Sequence, residues 1–212
     1  MRKRSTRTGG LLSALANAPD SRYARPLRQP ARGFTMVELL VVLVLLAIII
    51  SLAAPSFARL SSAAAISSGV NQFMADMRFA RSEGIRRGGG VVLCRSDDPE
   101  SPATACAGGA PADWVTGWIV FHDLDGDGAR DADEQVLRVQ ARPAGIDSIA
   151  ADGTPTVFRF AATGRLLVPG SFSSLRFGSA NLPADIRRIV CVAPGGRARI
   201  AGDGGASCGP GD

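Results

Sequence analysis

The sequence has little of what most enzymes use. Its 212 residues include one histidine, and aromatic residues make up only 6%. One His excludes a multi-His zinc site and most His-based catalysis. No Gly-rich phosphate motif leads into a helix, and no Ser, Cys or second acid is spaced to make a catalytic set with His122. His122 beside Asp123 reads as structural or exposed, so the chain reads as no enzyme. No internal repeat is visible. The composition is neither collagen-like nor disordered, and 25 Gly with 13 Pro predict many turns. The length suits one domain with a tail, or two small ones.

The formal charge of +5 resembles a nucleic-acid or membrane signal, but its distribution says otherwise. Residues 1–33 carry eight Lys/Arg against Asp20 alone, and the remainder of the chain is mildly acidic. From Leu39 to Ala58 no residue is charged. In a helix these residues rise about 30 Å, the thickness of a bilayer core. The basic segment before them places residues 1–33 in the cytoplasm and everything after Ala58 across the membrane. A cleaved secretory signal is the alternative, with Ala54 and Ala58 imitating its small-x-small site. Its apolar region is typically about 7–15 residues, shorter than this run. Glu38 at the front of the run is a second distinction. An ionised carboxylate at that depth costs several kcal/mol unless it finds a partner or sits wet at headgroup level.

Gly33-Phe34-Thr35-Met36-Val37-Glu38 followed by this apolar helix resembles the N-terminus of type IV pilins and pseudopilins. The resemblance implies cleavage by a prepilin peptidase between Gly33 and Phe34, methylation of the new N-terminal Phe34, and a helix that bends near Pro55. It also implies that the helix anchors the subunit in the inner membrane and then packs against neighbouring copies in a filament. Glu38 would then be buried and pair with the Phe34 amine of a neighbour, fixing the register of assembly. The domain organisation expected is a cleaved leader over 1–33, a transmembrane and filament-core helix over 34–58, and a periplasmic domain over 59–212.

The helix is expected to continue. Ile66, Val70, Phe73, Met74, Met77 and Ala80 recur at helical spacing as one apolar stripe, with Arg78, Arg81 and Arg86 off it and solvated. Gly88-Gly89-Gly90 ends a helix read from about Phe34 to Arg87. Beyond it, Val91–Arg95, Gly117–His122, Gln135–Gln140, Thr156–Phe160, Leu175–Phe177 and Ile186–Val192 read as strands, with a loop over 96–113. The spacing leaves no room for intervening helices, so the fold class is α+β, a long helix on a mainly antiparallel sheet.

Cys94, Cys106, Cys191 and Cys208 all follow the apolar run, and their spacing fits no zinc pattern. Three pairings are open. The local ones, Cys94–Cys106 and Cys191–Cys208, are preferred because each closes a Gly-rich or Pro-rich loop, worth roughly 3 kcal/mol for about 15 residues.

Two charged segments are candidate sites. Asp123, Asp125, Asp127, Asp131 and Glu134, with Gly128 in the turn, match the calcium-loop template, and Ca²⁺ takes hard oxygen ligands. The flanking segments read as strands rather than helices, so a polar hairpin tip is the competing reading. No cofactor is otherwise required. In Gly195-Gly196-Arg197-Ala198-Arg199, alternation puts Arg197 and Arg199 on one face of an extended segment, where they suit phosphates or carboxylates. A solvated strand is the alternative. Few aromatics interleave, so stacking on single strands is not indicated.

Residues 74–83, Trp114–Phe121 with its acidic turn, and Gly196-Arg197-Ala198-Arg199 resemble the GspH/FimT group of minor pseudopilins. That group implies a long helix against two β-sheets in a low-copy subunit at or near a filament tip, with other pseudopilins or minor pilins as partners. It leaves two roles open. One is a subunit of the periplasmic pseudopilus of type II secretion. The other is a type IV pilus subunit that binds double-stranded DNA for uptake through Gly196, Arg197 and Arg199.

Overall fold

The computed structural model describes residues 33–109, 113–152, 157–167 and 173–209; the expected leader, apart from Gly33, lies outside them. The chain divides into two compact units, Met1–Val44 and Leu45–Asp212. In the first, helix α1 (Met36–Arg87) begins after Thr35. Thr35 caps it: its Oγ1 accepts the Glu38 N–H at 3.1 Å and its carbonyl accepts the Leu39 N–H at 3.1 Å.

The rest of α1 belongs to the second unit, with Pro55 inside an unbroken helix. Its apolar stripe is buried: Ile66, Val70, Phe73, Met74, Met77 and Ala80 all face the core. Arg78 and Arg86 are exposed as expected, but Arg81 is half-buried. The helix stops where Gly88, Gly89 and Gly90 take positive φ, and the Gly89 N–H closes on the Gly84 carbonyl at 2.7 Å.

Eight strands follow: β1 (Val91–Arg95), β2 (Gly117–His122), β3 (Val136–Ala141), β4 (Ile149–Asp152), β5 (Val157–Phe160), β6 (Ser173–Phe177), β7 (Arg188–Val192) and β8 (Ala198–Asp203). They form two antiparallel sheets of order β3-β2-β1-β5 and β4-β6-β7-β8. The architecture is α+β, a long helix with a two-sheet domain, as the resemblance implied. Strands β4 and β8 were not anticipated. Both are sheet edges built from Ala, Gly and Asp as much as from Ile, so they carry almost no alternating apolar signal. Thr156, expected to open β5, lies outside the described residues.

One core joins the helix to both sheets. Phe73 is its centre, meeting Trp114, Trp118, Phe158 and Phe177 edge-on at centroid distances of 5.8, 5.4, 6.3 and 5.9 Å. Alternation in the first sheet sends Val91, Leu93, Trp118, Val120, Phe158 and Phe160 to the helix side. Val92, Cys94, Ile119 and Phe121 form a second cluster on the other side, against Cys106, Val136 and Val157.

Candidate functional site

The apolar stem is the first candidate. Residues from Phe34 to Leu60 are exposed throughout, among them Phe34 at 83% and Leu52 at 73%. The helix is long and apolar enough to cross a membrane. Glu38 stands in its first turn and is exposed. Its backbone is tied to Thr35, and the Thr-x-x-Glu spacing of a capping box is a local reason for an acid here. A carboxylate in the first helical turn also meets the positive end of the helix dipole. Gly33 precedes the helix, and a Cβ there would meet nothing within 4 Å among the described residues.

The acidic segment is the tip of the β2–β3 hairpin, not a loop between helices. Asp123 and Glu134 are buried at its base. Asp123 accepts the Gly126 and Gly128 N–H groups at 2.7 and 3.0 Å. Glu134 accepts those of Leu124 and Asp131 at 2.6 and 3.0 Å. Each of the four oxygens thus ties down one backbone amide. Asp125, Asp127 and Asp131 are exposed. Carboxylate oxygens of Asp123, Asp125 and Glu134, and separately of Asp125, Asp127 and Asp131, lie within 4.8 Å of one another. Desolvation first, and then the charges of Asp127, Asp125, Glu134 and Asp133, raise the Asp131 pKa.

Two arginines that sequence reasoning missed hold this tip. Arg159, on β5, donates to the Gly126 carbonyl and sits 3.5 Å from Asp123 Oδ2. Arg130 donates to the Thr104 carbonyl at 3.0 Å, joining the tip to the loop after β1. No local pattern marks either contact, because each partner lies about 30 residues away in the chain. His122 ends β2 half-buried, and its ring packs near Gly90.

The disulfides are the two local ones, Cys94–Cys106 and Cys191–Cys208, with Cα separations of 5.5 and 5.6 Å. The first pins the loop after β1 over the outer cluster of its sheet. The second joins β7 to the segment after β8.

Arg197 and Arg199 flank the start of β8. Arg197 is exposed at the β7–β8 turn, whereas Arg199 is half-buried and pairs in register with Cys191. The turn is tight: the Gly196 N–H donates to the Ala193 carbonyl at 2.8 Å, and the Ala193 N–H to the Arg197 carbonyl at 2.9 Å. Gly196 itself is buried, with φ +75°, and a Cβ there would lie 2.2 Å from the Gly164 carbonyl oxygen. Its role in the turn is therefore conformational: it lets two backbones touch and leaves Arg197 pointing outward from the tip.

The family described as "Type II transport protein GspH" matches residues 69–196, and the prokaryotic N-terminal methylation motif matches residues 28–54. Two crystal structures of the type IV minor pilin FimU of Pseudomonas aeruginosa are similar in structure. One is 16% identical, covering 63% of this chain and 90% of its own, with a TM-score of 0.46. The other is 17% identical, covering 64% and 87%, with a TM-score of 0.48. No curated protein matches the chain.

Proposed function

Because this chain belongs to the family of GspH type II transport proteins, we propose that it is a minor pseudopilin, a structural subunit at or near the tip of a periplasmic pseudopilus in type II protein secretion. The observation that carries this reading is the contrast along one helix. Residues up to Leu60 leave their large apolar side chains uncovered, while Ile66 to Ala80 bury theirs in the domain. An uncovered apolar surface of that size needs lipid or other subunits around it.

In this reading residues 1–33 are a cytoplasmic leader removed by prepilin peptidase. Residues 34–58 first anchor the subunit in the inner membrane, in a single pass. They then exchange lipid for neighbouring pseudopilins in the filament, while 59–212 stay periplasmic. Glu38 pairs there with the Phe34 amine of a neighbour. No residue is assigned a catalytic role. Glu38→Ala is expected to insert into the membrane normally and to be missing from sheared filaments. Mass spectrometry of the native chain is expected to find Phe34 at its N-terminus. Normal incorporation of the variant, or a mature chain starting elsewhere, would remove this role.

A second reading is a type IV pilus minor pilin that binds double-stranded DNA for uptake, and the exposure of Arg197 on a rigid turn favours it. Full-length protein in nonionic detergent would retard duplex DNA, and the Arg197→Ala/Arg199→Ala double variant would not. Retardation that survives the double change would return both residues to structure. For the hairpin tip we propose Ca²⁺ as ligand, held by Asp123, Asp125, Asp127, Asp131 and Glu134. The two overlapping carboxylate groups that share Asp125 support this reading.

A further inference from the structure

The turn that presents Arg197 has a twin. Between β5 and Leu166 the Gly164 N–H donates to the Ala161 carbonyl at 2.8 Å, and the Ala161 N–H to the Arg165 carbonyl at 2.8 Å. Ala193, Gly196 and Arg197 repeat this pattern bond for bond, and the two glycines have φ +73° and +75°. Each turn therefore sets an arginine directly after a left-handed glycine at a hairpin tip. The two tips are in contact, since the Gly164 carbonyl lies where a Gly196 Cβ would be, and the Leu166 N–H donates to the Pro194 carbonyl at 3.0 Å.

The surroundings are positive. Arg165 and Arg197 are exposed, and neither side chain has an ion pair among the described residues. Arg81 packs against Gly164, its Nε 2.9 Å from where a Cβ would stand, and that Nε has no hydrogen-bond partner among the described residues. The carboxylate of the same helical turns, Glu83, is committed to Arg86 and Arg87.

We propose that the two Gly-Arg turns form one platform that grips the phosphodiester backbone of double-stranded DNA, with Arg165 contacting phosphate beside Arg197. This rests on the DNA-binding reading and extends it to a residue outside the Gly-Arg-x-Arg segment. Guanidiniums on rigid, adjacent tips can engage successive phosphates without ordering a loop. Membrane lipid is a poor occupant. Arg81 lies roughly 35 Å along the helix from Ala58, at about 1.5 Å per residue.

The test measures duplex affinity of the full-length protein in nonionic detergent across a salt series. Arg165→Ala is expected to weaken binding about three- to tenfold and to lower the salt slope by about 1, as loss of one phosphate contact does. Arg165→Lys should keep the slope. Arg142→Ala, on the exposed Arg beside Ala65 and Gln72, should change neither. If Arg197→Ala weakens binding and Arg165→Ala does not, the platform is overturned and the DNA reading stands. If the unaltered protein binds no duplex, both fall. An Arg142→Ala loss equal to that of Arg165→Ala would reduce the effect to net charge and overturn the platform. Displacement of DNA by phosphatidylglycerol in the micelles at equal phosphate would hand it to a lipid headgroup and overturn it likewise.

Discussion

The Trp118 indole N–H donates to Asp76 Oδ2 at 2.9 Å, tying β2 to the middle of α1's buried face. Asp76 is 1% exposed; its other oxygen accepts from Arg138 Nη1 at 2.7 Å, and the Gln72 amide donates to both oxygens, at 3.1 and 3.3 Å. Arg138 in turn lies over the Phe79 ring, 4.2 Å from its centroid. One buried carboxylate thus satisfies an indole, a guanidinium and an amide, and it fixes where the helix sits on the first sheet. A buried carboxylate is tolerable there because donors from three side chains meet its two oxygens.

Asp76→Ala should therefore destabilise the domain by about 2–4 kcal/mol, since it leaves a buried indole N–H and a half-exposed cation unpaired. Asp76→Asn should cost less, because an amide oxygen can still accept from Trp118. Denaturant midpoints followed by tryptophan fluorescence would rank the two. Equal, near-zero effects would mean that the network does not hold the helix.

The helix stripe and most of the strands were legible because both are periodic, and each buried position repeats the same demand. Asp76 was not legible. Locally it is one acid among alanines and methionines, and its partners lie 42 and 62 residues further on. The same holds for Arg159 against the hairpin tip, and for Gly164 against Gly196. Chemistry that needs two distant segments leaves no local mark on either. Arg81 looked solvated by helical phase alone, but a turn that returns from β5 covers it.

Glu83 offers a pH test. Its hydrogen bond from Arg86, followed by that from Arg87, lowers its pKa from 4.5 to about 2. A carboxylate whose folded pKa is depressed contributes stability above its unfolded pKa and loses it as pH falls toward the folded one. The contribution is thus complete above about pH 4.5 and gone near pH 2. Glu83→Gln should flatten that part of the acid limb and lower stability modestly at neutral pH, where the charged pairing with Arg86 and Arg87 is fully present. An acid limb of unaltered slope would show that the helix-end pairing does not matter to folding.

Calcium should raise the thermal midpoint of the full chain, and EDTA should reverse the rise. Like charges around Asp125, Asp127 and Asp131 oppose one another without a cation; desolvation first, and then this repulsion, raise the Asp131 pKa. Binding should weaken as pH falls and protons compete for the same oxygens. Asp125→Asn should remove the shift, because Asp125 belongs to both carboxylate groups. No heat by calorimetry at millimolar Ca²⁺ would leave the hairpin tip held by its own amides and by Arg130 and Arg159.

The two adjacent glycines of the β7–β8 turn should behave differently. A Cβ on Gly196 would meet the Gly164 carbonyl oxygen at 2.2 Å, and the residue would also have to hold φ +75°. A Cβ on Gly195 would meet nothing within 4 Å among the described residues. Gly196→Ala should therefore cost about 1–3 kcal/mol from the backbone conformation and push the two turns apart. Gly195→Ala should be close to neutral. Thermal midpoints separate the two, and duplex binding adds a second readout. Loss of binding in Gly196→Ala, with both arginines still present, would show that the glycine acts by aiming Arg197 rather than by touching DNA. Equal stability of the two variants would mean that the turns are not held against each other through Gly164.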